Sequence, residues 1–385
     1  MQPTTVLIVG ASISGLAAAV CLKKKGLEFI LIEKEAQIAT PWRNHYDRLH
    51  LHTNKGLSAM PYKKFGAAIP RYPSRQQVVD YLEDYRKEFG IEPVFNTKAL
   101  SIKREGGHWI TETNNGTFQS KYVVMATGPF GKPKPVNFLG MESFPGKIVH
   151  SYGYKSGREF KGQKVLVVGF GNSGCEIAID LYEQGAVPGM AVRSPVNIVP
   201  RDLLGIIPIL RVSQLLSRFP VRLADKLSSR VSRLVFGDIS KLGLRKMPIG
   251  VFEQFRREGV SPVLDIGTVK HIRDGHIRIH GGIDHIDGKT VYFSDGRTED
   301  FDAIVAAIGY YRDYAEIVDV DKSRFEDLRV SVDRQKYFGK DGLYFCGFWI
   351  APTGTIREIA LDARKIARDI TRDTRKMGTG FAISD

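Results

Sequence analysis

Apolar residues in this chain gather into short dense runs that end at glycine. The first, VLIV at Val6–Val9, meets the glycine turn Gly10–Gly15, and a helical pattern follows. A run this dense, bounded by glycine and too short for a helix, predicts a strand buried on both faces. The same unit returns at Lys164–Gly185. Val165–Val168 is the strand, and Asn172–Gln184 has helical spacing. Three further runs, Tyr122–Phe130, Asp302–Tyr311 and Asp341–Phe348, end in small residues that include Gly128, Gly309 and Gly347. The last of them leads into a helix from about Thr355 to Arg372. Repeated strand–helix units predict an α/β protein with parallel sheets. Between Leu203 and Asp238 apolar residues recur every three and four positions with arginines between them, and Pro208 and Pro220 break the stretch.

The residues beyond each glycine turn suggest what it binds. In the first, Gly10 and Gly15 keep the outer positions of G-x-G-x-x-G while Ser12 replaces the middle glycine. A Cβ there crowds a pyrophosphate, but a serine hydroxyl can donate to it and the helix N-terminus still attracts anions. The second strand of this unit ends at Glu33, 18 positions beyond Gly15, where a carboxylate binds the ribose hydroxyls of an unphosphorylated adenosine. The second turn has its full triplet, Gly169, Gly171 and Gly174, with Asn172 and Ser173 inside it. Its following strand ends at Arg193 and Ser194, 19 positions beyond Gly174, which is chemistry for a 2′-phosphate. The pair is therefore FAD and NADPH. The expected fold is a two-dinucleotide-binding-domain flavoprotein, with a Rossmann-like NADPH domain inserted into a split Rossmann-like FAD domain. We place the FAD domain at 1–156 and 301–385. The NADPH domain is 157–300, with a helical lid over 203–240. The late glycine-ended strands then complete the flavin site, which assigns Gly128, Gly309 and Gly347 to FAD.

Net charge is +14, concentrated in the basic stretch Arg201–Arg257. No nucleic-acid-binding motif accompanies it, so the charge suits an anionic cofactor or substrate, or a loose contact with a membrane surface. Arg201 is a further basic candidate. No run approaches the ~18 apolar residues of a membrane span. The chain enters a strand within a few residues, so no secretory leader is expected. The three cysteines are scattered and form no CxxC, which predicts free thiols in a reducing, cytoplasmic setting and argues against dithiol chemistry. No metal is expected, and either a monomer or a homodimer fits.

Other motifs narrow the class. FPGKIVHSYGY carries Phe144, Gly146, His150 and Tyr154 in the order F-x-G-x-x-x-H-x-x-x-Y. WRNHYDRLHLH (Trp42–His52), the stretch Phe219–Asp238 and SPVLDIGTVKHI (Ser261–Ile272) add to it. On these segments the chain resembles class B flavin-containing monooxygenases, most closely the YUCCA-type branch and its bacterial relatives. It departs from that pattern at Ser12, at Ala307–Ile308 before Gly309, and at Asn54.

The resemblance implies that NADPH reduces FAD, that reduced flavin adds O₂ to give a C4a-(hydro)peroxyflavin, and that a small organic substrate takes one oxygen atom. The substrate is a 2-oxo acid such as indole-3-pyruvate, or an amine or thioether. Baeyer–Villiger oxidation and an uncoupled NADPH oxidase or reductase are the remaining readings. The resemblance also implies roles. Asn54 is the catalytic candidate, as a neutral amide donor, although HTNKG also reads as a turn. Trp42 and Arg48 approach the flavin, Gln77 the nicotinamide, and Tyr154 opens toward NADP. His150 is read as a positioning residue rather than an acid–base group.

Overall fold

A computed structural model of the 385-residue chain describes residues 1–128, 131–311, 317–319, 339–348 and 350–379. The chain divides into two compact units. One is Met1–Arg43 with Asn54–Gly131 and Arg312–Asp385; the other is Asn44–Thr53 with Lys132–Tyr311.

The first unit begins with β1 (Gln2–Val9), α1 (Ile13–Lys23), β2 (Phe29–Ile32), α2 (Arg75–Glu88), β3 (Ala99–Glu105), β4 (His108–Thr113) and β5 (Gly116–Met125). Its strands lie in the order β2-β1-β5-β4-β3. β1 is parallel to both neighbours, with Val6 opposite Phe29 and Val9 opposite Met125. β3, β4 and β5 form an antiparallel meander. Val6, Leu7 and Ile8 are fully buried, as a strand covered on both faces requires. Pro129 and Phe130, which close the third apolar run, lie outside the described residues.

The second unit contains β6 (Lys147–His150), β7 (Lys164–Val168), α3 (Asn172–Glu183), β8 (Val187–Ala191) and β9 (Ile198–Pro200). Then come α4 (Ile209–Leu216), α5 (Val221–Phe236), α6 (Val251–Glu258), β10 (Val263–Asp265) and β11 (Arg278–His280). A meander of β12 (Ile283–Asp287), β13 (Thr290–Phe293) and β14 (Thr298–Asp300) leads to β15 (Ala303–Ala306). The main sheet is five-stranded and parallel, in the order β11-β8-β7-β15-β6. The chain then returns to the first unit, where β16 (Leu343–Phe345) pairs with the end of β5 and α7 (Thr355–Thr379) follows. The buried positions of α7, Ile356, Ile359, Ala360, Ala363, Ile366, Ala367 and Ile370, repeat at three and four, and this helix packs on α1.

The division differs from the expected one at 156/157 and 300/301. β6 and β15 are hydrogen-bonded neighbours in the second sheet, Ile304 opposite Ile148. Both ends of that segment therefore belong to the second unit, and so does Gly309. Pro208 and Pro220 break the 203–238 stretch as expected, each standing as the N-cap of the helix that follows, α4 and α5. All three cysteines are buried and unpaired; burial pushes the Cys21 thiol up to about 11. Among the described residues no helix is long and apolar enough to cross a membrane.

One core residue carries a pH dependence. His280 is 5% exposed, stacked on Phe293 at 4.3 Å between centroids and edge-on to Phe301. Neither ring nitrogen has a hydrogen-bond partner among the described residues, although Glu299 Oε2 lies 3.4 Å from Nε2. The distance suits an ion pair but the alignment does not suit a hydrogen bond, so the ring sits as a neutral aromatic. Burial lowers its pKa. A base whose folded pKa is depressed stabilises the fold when neutral. That contribution is full above the unfolded value near 6.5 and is lost as pH falls through it. His280→Phe should keep the stacking and flatten the fall in unfolding midpoint between about pH 7 and 5, read by thermal melts across that range. An unchanged slope would assign the fall to other groups.

Candidate functional site

In the first unit the chain leaves β1 and turns at Gly10, whose φ is +101°. A Cβ on Gly10 would lie 3.0 Å from the Ala126 carbonyl oxygen, and one on Gly15 only 1.8 Å from that of Gly10. Glycine is forced at both positions, and the first turn of α1 is thereby pressed against the turn that precedes it. Ser12 is the N-cap of α1 but makes no capping hydrogen bond, and the first turn of the helix holds no acidic residue. The N-terminal N–H groups and the positive end of the helix dipole are thus available to an anion. Glu33 closes the turn from the side. Its carboxylate accepts from the N–H of Ala11 at 2.6 Å and of Glu35 at 3.1 Å. Two acceptor positions are used in this way, and a carboxylate has about four. Gly347 follows β16 with φ +80°, where a Cβ would lie 2.2 Å from Ser14 Oγ. This late strand therefore abuts the first turn of α1. Gly128, with φ +76°, leaves the end of the β5 segment with nothing within 4 Å of a built Cβ.

The second unit repeats the cradle. A Cβ on Gly169 would lie 2.5 Å from Ala307 O, and one on Gly174 would lie 2.3 Å from Gly169 O. Gly171 meets nothing within 4 Å: its face is open, as a backbone that lets a pyrophosphate approach must be. Arg193 and Ser194 are exposed just beyond β8, and among the described residues no carboxylate pairs with Arg193. The guanidinium of Arg245, also exposed and without a carboxylate partner, donates to the Arg193 carbonyl. A second cation is thus fixed to the backbone of the residue where the spacing predicts a phosphate. The sequence gives no sign of Arg245, which lies 52 positions away. Asn172 faces elsewhere: its Oδ1 accepts from Leu264 N–H at 2.8 Å and its Nδ2 donates to Pro262 O, tying α3 to β10. Ser173 bonds the Tyr46 hydroxyl.

Three assignments are corrected by side-chain partners. Arg48 is not in the first unit. It forms a fork to Glu183 at 2.8 and 2.9 Å and lies 3.7 Å from Glu176, both on α3. Tyr154 does not open toward a ligand. It is 2% exposed, stacks on Phe160, and donates to Asp180 Oδ2 at 2.5 Å. Gln77 is half of a capping box with Ser74 at the start of α2, its Oε1 accepting from Ser74 N–H at 2.9 Å. Trp42, in the first unit, is half-buried on the short helical turn Thr40–Asn44.

Sequence reading also missed a pair of buried carboxylates. Glu176 and Asp180 stand one turn apart on α3, at 1% and 4% exposure. Glu176 accepts from the Tyr46 hydroxyl at 2.6 Å and lies 3.3 Å from His52. Asp180 accepts from Tyr154 and from the Gly157 N–H at 2.8 Å. The signal was two acids four apart flanking the apolar run Ile177–Ile179 in the middle of the helix, which demands buried donors. Tyr154→Phe should cost about 1–3 kcal/mol of stability, because Asp180 loses a donor it cannot replace. It should leave KM for NADPH within about twofold; a selective rise in that KM would restore Tyr154 to the cofactor site.

Asn54 starts a loop of the first unit that is tied down at several points. Lys55 Nζ donates to the carbonyls of Gly66, Ala67 and Ile69, and the Tyr81 hydroxyl bridges Met60 N–H and Lys63 O. Asn54 is 6% exposed. Its Oδ1 accepts from Leu57 N–H at 3.0 Å, the turn role that its context suggested. Its Nδ2 is buried and has no partner among the described residues. A rigid loop therefore holds an unused amide donor, and such groups point to a missing acceptor. His150 is used differently. Nδ1 accepts from Tyr152 N–H at 3.0 Å and Nε2 lies 3.2 Å from Gly309 O. Burial lowers its pKa. A neutral ring with both nitrogens bonded to backbone is a strut between two loops of the second unit.

Comparisons with known proteins agree with this arrangement. The profile of the pyridine nucleotide-disulphide oxidoreductase family matches residues 7–202. Indole-3-pyruvate monooxygenase YUCCA6 of Arabidopsis thaliana is 37% identical over 375 residues, covering 94% of this chain and 89% of that protein. YUCCA1 of Oryza sativa subsp. japonica is 35% identical, covering 94% and 90%. In fold, the chain matches a flavin-containing monooxygenase from Stenotrophomonas maltophilia (TM-score 0.69, 20% identity, 97% and 100% covered). It also matches the open form of a cyclohexanone monooxygenase (TM-score 0.74, 16% identity, 97% and 88% covered). The class is thus an oxidoreductase of the two-dinucleotide flavoprotein type, a monooxygenase that uses FAD and NADPH with O₂ and a small molecule. Within it, the chain belongs to the YUCCA family of flavin monooxygenases.

Proposed function

We propose that this protein decarboxylates an aryl 2-oxo acid oxidatively, with indole-3-pyruvate as the reference substrate. The balance is indole-3-pyruvate, O₂, NADPH and H⁺ to indole-3-acetate, CO₂, H₂O and NADP⁺. The observation that carries this reading is near full-length identity of 37% to a relative named for that reaction.

The residues fit both dinucleotides. In the first unit the Gly10–Gly15 turn, with Ser12 and the N-terminus of α1, receives the FAD pyrophosphate. Glu33 takes the adenosine ribose, Gly347 lets the late strand lie against Ser14 in the first turn of α1, and Gly128 leaves the end of the β5 segment open to the cofactor. In the second unit the open face of Gly171, flanked by Gly169, Gly174 and Ser173, receives the NADPH pyrophosphate, and Arg193, Ser194 and Arg245 hold the 2′-phosphate. Bound FAD supplies the electron transfer and O₂ activation that no side chain can perform. The chain binds, orients and keeps water out. Asn54 gives a neutral hydrogen bond from Nδ2 during oxygen transfer and, as an amide, delivers no proton that would release H₂O₂. The segment 203–240 serves substrate access as a lid. It exposes Leu204 at 85% and Ile206 at 69%, an apolar surface suited to the body of an aryl acid. The same residues suit a peripheral membrane contact, which liposome sedimentation separates from the lid role.

The test is turnover by the purified holoprotein with NADPH and O₂, offered indole-3-pyruvate, a tertiary amine, a thioether or cyclohexanone in turn. Indole-3-acetate formed in step with NADPH consumed is the expected result. Coupled turnover of the amine, thioether or ketone alone would overturn the 2-oxo acid assignment.

A further inference from the structure

A cavity of about 540 Å³ opens in the second unit between α5, the start of β9 and the turn leading into α6. None of its lining residues belongs to the Gly169–Gly174 cradle or to the Arg193 corner. Its volume is within the range of small-molecule pockets. The floor is apolar: Ile198, Phe236 and Ile249. The mouth is cationic. Arg222, Lys226 and Arg233 line it from one face of α5, at the spacing that stacks side chains along a helix.

Charge accounting separates this cavity from an ordinary solvated face. Its two carboxylates are already used. Asp225 accepts from the N–H groups of Phe252 and Glu253 and so caps α6. Asp238 accepts from the Ser240 N–H and hydroxyl. Gly250 is required for the first of these, since a Cβ there would lie 2.2 Å from Asp225 Cγ. The fourth cation, Lys246, donates to Ser229 Oγ at 2.6 Å. Asn197, buried behind the floor, is satisfied by Ile249 O and Gln254 Oε1. Arg222, Lys226 and Arg233 form no ion pair among the described residues. Four lining cations against the two carboxylates Asp225 and Asp238 leave the mouth net positive above an apolar floor, which matches a ligand that is anionic at one end and apolar at the other.

We propose that this cavity binds an organic anion with an apolar body, of the aryl- or alkyl-carboxylate class, at a site distinct from the NADPH cradle. The apolar body lies against Phe236 and Ile249, and the carboxylate is held by Arg222, Lys226 and Arg233.

The probe is 1-naphthaleneacetate, with its neutral amide as control, titrated into the FAD-loaded protein with and without saturating NADP⁺ and followed by ligand fluorescence. Expected are saturable binding of the acid, at least about tenfold weaker binding of the amide, and no displacement by NADP⁺. Arg222→Gln with Arg233→Gln should weaken the acid about tenfold or more while the bound FAD content and the unfolding midpoint stay at their wild-type values. The proposal is overturned by equal binding of acid and amide, by displacement with NADP⁺, or by absence of saturation up to about 5 mM. Binding that the double variant leaves unchanged also overturns it, because the acid would then occupy another site, such as that of the substrate.

Discussion

Arg193→Ala raises KM for NADPH by about 10- to 100-fold and leaves KM for NADH within about twofold. The reason lies in what surrounds the guanidinium. It is exposed at the end of β8, beside the open face of the cradle, and among the described residues no carboxylate competes for it. Its charge is therefore available to a phosphate rather than neutralised in advance. A 2′-phosphate held by such a group gains charge-assisted hydrogen bonds that NADH, lacking the phosphate, never makes. Arg245→Ala should give a smaller effect in the same sense, since that side chain also anchors the Arg193 carbonyl. Anaerobic flavin reduction by each nucleotide, followed at the flavin band, reads binding apart from later steps. Equal losses with NADPH and NADH would remove the 2′-phosphate from Arg193 and make the corner a structural one.

That corner also shows what the sequence makes legible. Gly10, Gly15, Gly169 and Gly174 are readable because residue type alone carries the constraint: any Cβ collides with backbone. Glu33 and Arg193 are readable because chain spacing places them at the ends of adjacent strands. Arg48, Gln77 and Tyr154 are read differently from where they stand, and for one reason. Each can face a ligand or another element equally well, and the choice is made by a distant partner: Glu183, Ser74 and Asp180 respectively. Only Ser74 is close in sequence, in a capping box whose Ser-x-x-Gln signature was readable and passed over. The boundaries failed similarly. Ala303–Ala306 and Tyr122–Met125 are both short apolar runs ahead of glycine, and only pairing tells which sheet each joins. Asn54 reads two ways for a physical reason: Oδ1 closes the turn at Leu57, while Nδ2 has no partner among the described residues.

That division makes Asn54 the more demanding test. Asn54→Ala removes the turn acceptor for Leu57 together with the unpartnered donor, so a loss of activity alone would be ambiguous. Asn54→Asp keeps the size and the acceptor, deletes the Nδ2 donor and puts a carboxyl group in its buried place. If Nδ2 acts during oxygen transfer, both variants are reduced by NADPH at the normal rate, and in both the product formed per NADPH falls about tenfold while H₂O₂ rises to match. Stability changes for separate reasons: alanine loses about 1 kcal/mol with the Leu57 hydrogen bond, whereas aspartate retains that bond but carries the cost of a buried carboxyl group. Coupling measured as product and peroxide against NADPH, beside a denaturant titration, reads both quantities on the same protein. Wild-type coupling in Asn54→Asp would leave Asn54 as a turn residue and send the search for the oxygen-transfer donor to another side chain.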